Sequence, residues 1–279
     1  MQYLVPRSMC VKEALTLIFP DSSRRTLKSW LELGRFSVDG KKLQREDELL
    51  NEGVFLVTRD HFSPPKVPGL KILYEDRYLI AIDKPVGLLS VPLDDEGKTE
   101  RHALGLLRVH LRTDQIFAVH RIDRDVSGVL LFAKGKETTV KMKDLFEEHS
   151  LHRQYLAIVE GRIAEDAGVW KVPLLELPNL DVVPSSQGKE AITHFQVIRR
   201  STKYSYLKIL LETGKKHQIR VHCQVAGHPV VGDARYGALQ NPIRRLGLHA
   251  EKLELTHPFT KRKLSLISSP PKAFRSLGV

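Results

Sequence analysis

The chain has 279 residues, 42% of them hydrophobic, and carries 44 Lys and Arg against 33 Asp and Glu, a formal net charge of +11. That length supports a sizeable core and two domains, the lack of any run of about 18 apolar residues argues against a membrane helix, and the start "MQYLVPRSMCVKEAL" has no secretory-signal pattern. The basic excess points to a polyanionic partner, nucleic acid ahead of an acidic membrane surface, and two distant cysteines, Cys10 and Cys223, make no disulfide framework and fit a reducing cytoplasm.

In chain order, Val11, Ala14, Leu15 and Ile18 recur at helical spacing. The "DSS" at 21–23 offers N-caps for a second helix carrying Leu27, Trp30 and Leu31, with Gly34 placed to end it. "RFSVDGKKL" predicts a short strand and an Asp39-Gly40 hairpin turn, and "GVFLVT" at 53–58 another strand. Arg24, Arg25, Lys28, Arg35, Lys41 and Lys42 lie on these elements. They form either a solvated basic face or a cationic patch suited to a phosphate backbone. The order helix, helix, Gly, strand, Asp-Gly resembles the small RNA-binding domain of the ribosomal-protein S-four type, over roughly residues 5–60.

The proline-rich "HFSPPKVPG" at 61–69 can neither continue a helix nor enter a central strand. The expected division is a domain at 1–62, a linker at 63–68 and a larger domain at 69–279. In the larger part, "LKILYEDRYLIAIDKP" ends in a strand terminated by Pro85, and "VLLFAK" reads as a buried strand. "TVKMKDLFEEHS" puts Met142, Leu145, Phe146 and His149 on one helical face. "RQYLAIVEG" is a strand closed by Gly161, and "SYLKILLETG" alternates with Leu207, Ile209 and Leu211 facing one way. A turn at Gly214 leads into a helix with Ile219, Cys223 and Ala226 inward and Lys216 and Arg220 one turn apart on another face. The expected fold class is α+β, with a mixed, largely antiparallel sheet in the larger domain and a small α/β domain before it.

Several familiar sites have no pattern here: no CxxC pair, HExxH, GxGxxG, Walker loop or GxSxG is present. His149 and His152, or His217, His222 and Cys223, read better as structural or RNA-contacting groups than as metal ligands. What remains is charge at strand edges: "HRIDRD" at 120–125, "RQY" ending in Tyr155, and "ETGKKHQIRVHCQVAGHPVVGDARYG" at 212–237. Together they contain one potential nucleophile with a potential counter-ion.

In order, "HRIDRDVSGVLLFAK", "RQYLAIVEG", "TGKKHQIRVH" and "GHPVVGDARYG" resemble the successive motifs of the RluA-type pseudouridine synthases. "ILYEDRYLIAIDKPVGLLSVP" and "LHAEKLELTHP" extend the match over residues 69–270. The resemblance implies the pseudouridine synthase fold, an RNA substrate and no cofactor or metal, because isomerising uridine needs neither redox change nor external energy. It implies Asp123 as the catalytic carboxylate, Tyr155 as the residue stacking the base, and Arg220 as the basic partner of the aspartate. Arg121 falls where the family has an arginine implicated in taking the place of the flipped nucleotide, and His120 stands in the same motif. Arg220 beside Asp123 would favour its charged form, and Arg124, Lys216, Lys215 and Arg153 would guide the RNA backbone. The S-four-like domain tilts the expected target to large-subunit ribosomal RNA over transfer RNA, for a monomeric cytoplasmic protein. A non-catalytic RNA-binding or ribosome-assembly factor and a metal-dependent nuclease are the rival readings. Departures from the motifs are Ile122 for leucine, Val126 for threonine, "TGKK" for Thr-Gly-Arg-Thr, and "SVP" at 90–92 without a histidine.

Overall fold

A computed structural model of the chain describes residues 2–19, 22, 24–32, 34–58, 70–92, 101–275 and 277. Asp21, Ser23 and the proline-rich stretch 61–69 lie outside them, as does the side chain of Arg25. Contacts divide the chain into two units, Met1–Pro65 and Lys66–Val279.

The first unit runs β1 (Gln2–Leu4), β2 (Met9–Cys10), α1 (Val11–Ile18), α2 (Arg24–Glu32), β3 (Phe36–Val38), β4 (Lys41–Lys42), β5 (Leu49–Leu50) and β6 (Phe55–Thr58). A sheet of order β1-β6-β3-β4 and a β2–β5 pair carry the two helices. Val11, Ala14 and Leu15 of α1 pack with Leu27 and Leu31 of α2 on Phe36 and Leu56, so the helical periodicity seen in the sequence is the buried stripe. Asp39 and Gly40 both take left-handed backbone, φ 48° and 78°. This is the turn whose twist suits a two-residue hairpin.

The second unit continues with β7 (Lys71–Glu75), β8 (Leu79–Lys84), α3 (Ala103–Leu111), β9 (Ile116–Ala118), β10 (Ser127–Lys134), α4 (Lys136–Glu147), β11 (His152–Glu160) and β12 (Ala167–Lys171). Then come β13 (Leu174–Glu176), β14 (Val182–Pro184), β15 (Ile192–Arg200), β16 (Tyr204–Leu211), α5 (Gln218–Val225), β17 (Leu248–Thr256) and β18 (Lys263–Ile267). Among the described residues, ten strands form one sheet with the path β12-β15-β16-β11-β17-β10-β8-β7, β18 joining β17 and β9 joining β10. Its pairs are antiparallel except β10 with β17. The fold is thus α+β with a mixed, mostly antiparallel sheet.

Strand β10 explains why "VLLFAK" is apolar without alternation. Leu130 and Phe132 pack into one core with Leu104 and Leu107 of α3 and Ile219 and Cys223 of α5. Val129 and Leu131 pack into another with Met142 of α4. Both faces of the strand are covered, so both sets of side chains are apolar. Each such burial contributes about 2 kcal/mol. Gly128 opens the strand with φ 116°, and a Cβ there would stand 2.1 Å from the Ala250 carbonyl oxygen of β17. Only glycine permits this close approach. Beside it, the Ser127 hydroxyl lies 2.8 Å from His249 Nδ1 and accepts from Arg245 Nη2 at 2.8 Å, tying the start of β10 to β17.

Two helix expectations are corrected. His149 lies beyond the end of α4, exposed and at φ 53°. Lys216 precedes α5, so it does not share a helical face with Arg220.

Candidate active site

The charged stretch 120–125 is the turn between β9 and β10, and its backbone is held by buried polar side chains. Lys84, at the end of β8, is fully buried. Its ammonium donates to the carbonyls of Pro85, Leu88 and Arg124 at 3.1, 2.7 and 2.9 Å. Burial pushes its pKa down to about 8, against the charges of Asp123 and Asp125. The Ser90 hydroxyl donates to the Ile122 carbonyl at 2.7 Å and accepts from the Ile122 amide at 3.2 Å. Ile122 itself is buried in the core. The residue before Asp123 is therefore fixed by its side chain and by both of its backbone groups.

His120 turns away from solvent. Its Nε2 accepts from the Leu131 amide at 2.9 Å, and its ring stacks on Phe146 at 5.1 Å. Burial pushes its pKa down to about 3, so it stands neutral. The ring thereby anchors the turn to β10. Arg121 and Arg124 are exposed, and Arg124 sits 3.7 Å from Asp125.

Asp123 opens onto a cleft of about 370 Å³, whose walls include Arg121, Tyr155, Lys215, His217 and Arg220. Tyr155 comes from β11 where the register against β17 shifts between Gln154 and Tyr155. Such a bulge re-aims a side chain, and burial raises the phenol pKa to about 12.

Arg220 sits in the first turn of α5 with 7% exposure. Its Nη1 donates to Asp123 Oδ2 at 3.2 Å, while Nε and Nη2 donate to Asp233 Oδ2 and Oδ1 at 2.7 and 2.8 Å. Burial disfavours its charge, but the hydrogen bonds and charge of Asp233, and then those of Asp123, hold its pKa above the ordinary value. The bidentate geometry belongs to Asp233, with Asp123 as the second partner. Asp233 is a residue that sequence reasoning left without a role. α5 is itself aimed by Gln218: its Oε1 accepts from Thr213 Oγ1 and the Lys215 amide, each at 2.9 Å, and its Nε2 donates to Ile192 O and Thr193 Oγ1.

The structure thus brings Asp123, Tyr155, Arg220 and Arg121 to one cleft. Lys216 is paired with Glu176 of β13 at 2.5 Å. Arg153, expected to guide RNA, donates to the Glu212 carbonyl at 3.1 Å and packs within 2.2 Å of where a Cβ on Gly214 would stand. Arg24, Arg25 and Lys28 lie on α2 of the first unit, with Arg24 and Lys28 exposed. Lys84, Ser90, His217 and Asp233 were missed as site residues. The only sequence signals were a lysine closing an apolar strand, and motif positions whose partners are remote in the chain.

Among the described residues no group of His, Cys, Asp and Glu is arranged to hold a metal ion, and no helix is long and apolar enough to cross a membrane.

Residues 78–225 match the family model described as RNA pseudouridylate synthase. The ribosomal large subunit pseudouridine synthase D of Xanthomonas campestris pv. campestris is 32% identical over 99% of this chain and 91% of its own length. The dual-specificity RNA pseudouridine synthase RluA of Vibrio cholerae is 36% identical over 71% of this chain and 81% of its own. The solved structure of human RNA Pseudouridylate Synthase Domain Containing 1 superposes with a TM-score of 0.60 at 26% identity, covering 75% of this chain and 86% of that one.

Proposed function

The chain belongs to the RNA pseudouridylate synthase family, and we propose that it isomerises uridines of large-subunit ribosomal RNA with Asp123 as the catalytic carboxylate. The observation that carries this reading is a carboxylate facing an open cleft with a buried guanidinium 3.2 Å away. The relative named for the large ribosomal subunit, aligned over nearly the whole chain, supports the choice of RNA.

The reaction breaks the bond from C1′ to N1, turns the base, and joins C1′ to C5. The proton lost from C5 is balanced by one gained at N1, so no oxidant or reductant enters. Asp123 serves as nucleophile towards sugar or base, or as the base that takes a sugar proton. In each route it must start ionised, and Arg220, itself fixed by Asp233, supplies a rigid positive partner. The target base leaves its stack to reach the cleft. Arg121 at the exposed rim fills the space it vacates, and Tyr155 provides the aromatic wall for the extruded base. The first unit acts as an S-four-like RNA-binding domain, with Arg24, Arg25 and Lys28 contributing to phosphate contacts. The protein works as a monomer in the cytoplasm and uses no cofactor.

The test is a pseudouridine map of ribosomal and transfer RNA from cells with and without the gene. A site lost from large-subunit ribosomal RNA, and restored by the wild-type gene but not by Asp123→Asn, is the expected result. Loss confined to transfer RNA would overturn the choice of substrate.

A further inference from the structure

His217 occupies an uncomfortable position. It is the residue before α5, with φ 53° and ψ 15°, a left-handed backbone that a β-carbon disfavours. Its side chain does not cap the helix. It lies instead between two polar groups that specify how the ring is protonated. Nδ1 is 2.7 Å from the Tyr236 hydroxyl. That oxygen accepts from the Val182 amide at 3.4 Å, which leaves the phenol hydrogen to be donated to Nδ1. On the other side Nε2 is 3.8 Å from Asp123 Oδ2, an acceptor. Both neighbours ask for the same tautomer: Nδ1 bare, Nε2 carrying the hydrogen.

We propose that His217 is a positioning residue of the pseudouridine-forming step, locked by Tyr236 as the Nε2–H tautomer and donating to the Asp123 carboxylate once substrate fills the cleft. The proposal rests on the reading of Asp123 as the catalytic carboxylate. Arg220 then holds Asp123 Oδ2 from one direction and His217 from another, and the carboxylate cannot turn about its bond to Cβ. The present separation is longer than a hydrogen bond, and such contacts tighten when a substrate is bound. The charged groups around the ring are Asp123, Arg220, Arg235 and Lys216, with the Glu176 and Asp181 carboxylates also acting on it. Burial, aided by the three cations, lowers the imidazole pKa against the pull of Asp123. The ring is thus neutral, as a tautomeric lock requires. The strained backbone places this imidazole where it meets Tyr236 and Asp123 together.

Two measurements test it. The first needs no substrate: nitrogen-detected NMR of histidine-labelled protein at neutral pH, with the His217 signals assigned by their loss in His217→Gln. A protonated Nε2 and bare Nδ1 are expected, with a mixture of tautomers in Tyr236→Phe. A protonated Nδ1, or an imidazolium, overturns the proposal. The second is single-turnover pseudouridine formation on an unmodified large-subunit ribosomal RNA transcript at saturating enzyme. His217→Ala should slow the step about 10-fold or more while RNA affinity stays within about 3-fold, and His217→Gln, which keeps a donor, should recover part of the rate. An unchanged rate, or an equal loss of affinity, overturns it. If wild-type protein is inert on the transcript, or Asp123→Asn is fully active, the reading of the substrate or of Asp123 has failed instead, and the tautomer alone decides the proposal.

Discussion

Arg220 spans two carboxylates unequally, gripping Asp233 through Nε and Nη2 at 2.7 and 2.8 Å and reaching Asp123 with Nη1 at 3.2 Å. The side chain of Asp233 is 1% exposed and that of Asp123 is 22% exposed. One carboxylate is therefore structural, and the other is left with room for a substrate.

That division predicts opposite phenotypes for two neighbouring acids. Asp233→Ala strips a buried guanidinium of its bidentate partner, a loss of about 3–5 kcal/mol. Asp123→Asn changes a half-buried group with a single longer bond and should shift stability by less than about 1 kcal/mol. Urea unfolding of both variants checks the pair. Equal destabilisation would contradict the assignment of roles.

Lys84 predicts a pH dependence. Its pKa falls from the ordinary lysine value of 10.5 to about 8 in the folded chain. Between those values the unfolded chain holds more protons than the folded one, so stability rises with pH through this window. Relative to Lys84→Met, wild type should gain roughly 3 kcal/mol between pH 7.5 and pH 10.5. Denaturant unfolding at both pH values measures it, and a constant difference would contradict the buried ammonium.

His120→Ala leaves the Leu131 amide without its acceptor inside the protein. It should cost about 1–3 kcal/mol of stability and leave RNA affinity within about 2-fold, because the ring is already held by the Leu131 amide and Phe146. A filter-binding titration alongside thermal unfolding separates the two effects. Weakened binding with unchanged stability would restore the RNA contact expected from the sequence.

These cases show what the sequence makes legible. The β10 strand, the Asp39-Gly40 hairpin and the α1–α2 stripe are local patterns, and periodicity reveals them. Asp123, Tyr155 and Arg220 stand out by motif order, and the fold gathers them at one cleft. Asp233 and Lys84 escape notice because their meaning lies in partners far along the chain. Arg220 and Asp233 are separated by a helix and a turn, while Lys84 caps carbonyls as distant as Arg124. His120 misleads for the opposite reason: a histidine inside a charged run reads as surface, whereas its ring packs on Phe146 of a later helix. Lys216 continues the helical spacing of Arg220 backwards, but the helix starts only after it.

The first unit carries its own prediction. Arg24 and Lys28 are exposed on α2. Replacing both with alanine should weaken RNA binding and lower the slope of log affinity against log salt by about 1–2, with no change in unfolding of the second unit. An unaltered slope would mean that this basic face is only solvated.

The central claim is that Asp123 carries the chemistry while the rest of the molecule positions it and the RNA. The most direct measurement is pseudouridine formation by purified Asp123→Asn on an unmodified large-subunit ribosomal RNA transcript, with RNA affinity measured in the same preparation. No detectable pseudouridine is expected, with affinity within a few-fold of wild type, since phosphate contacts lie elsewhere. Full activity from the asparagine variant would contradict it.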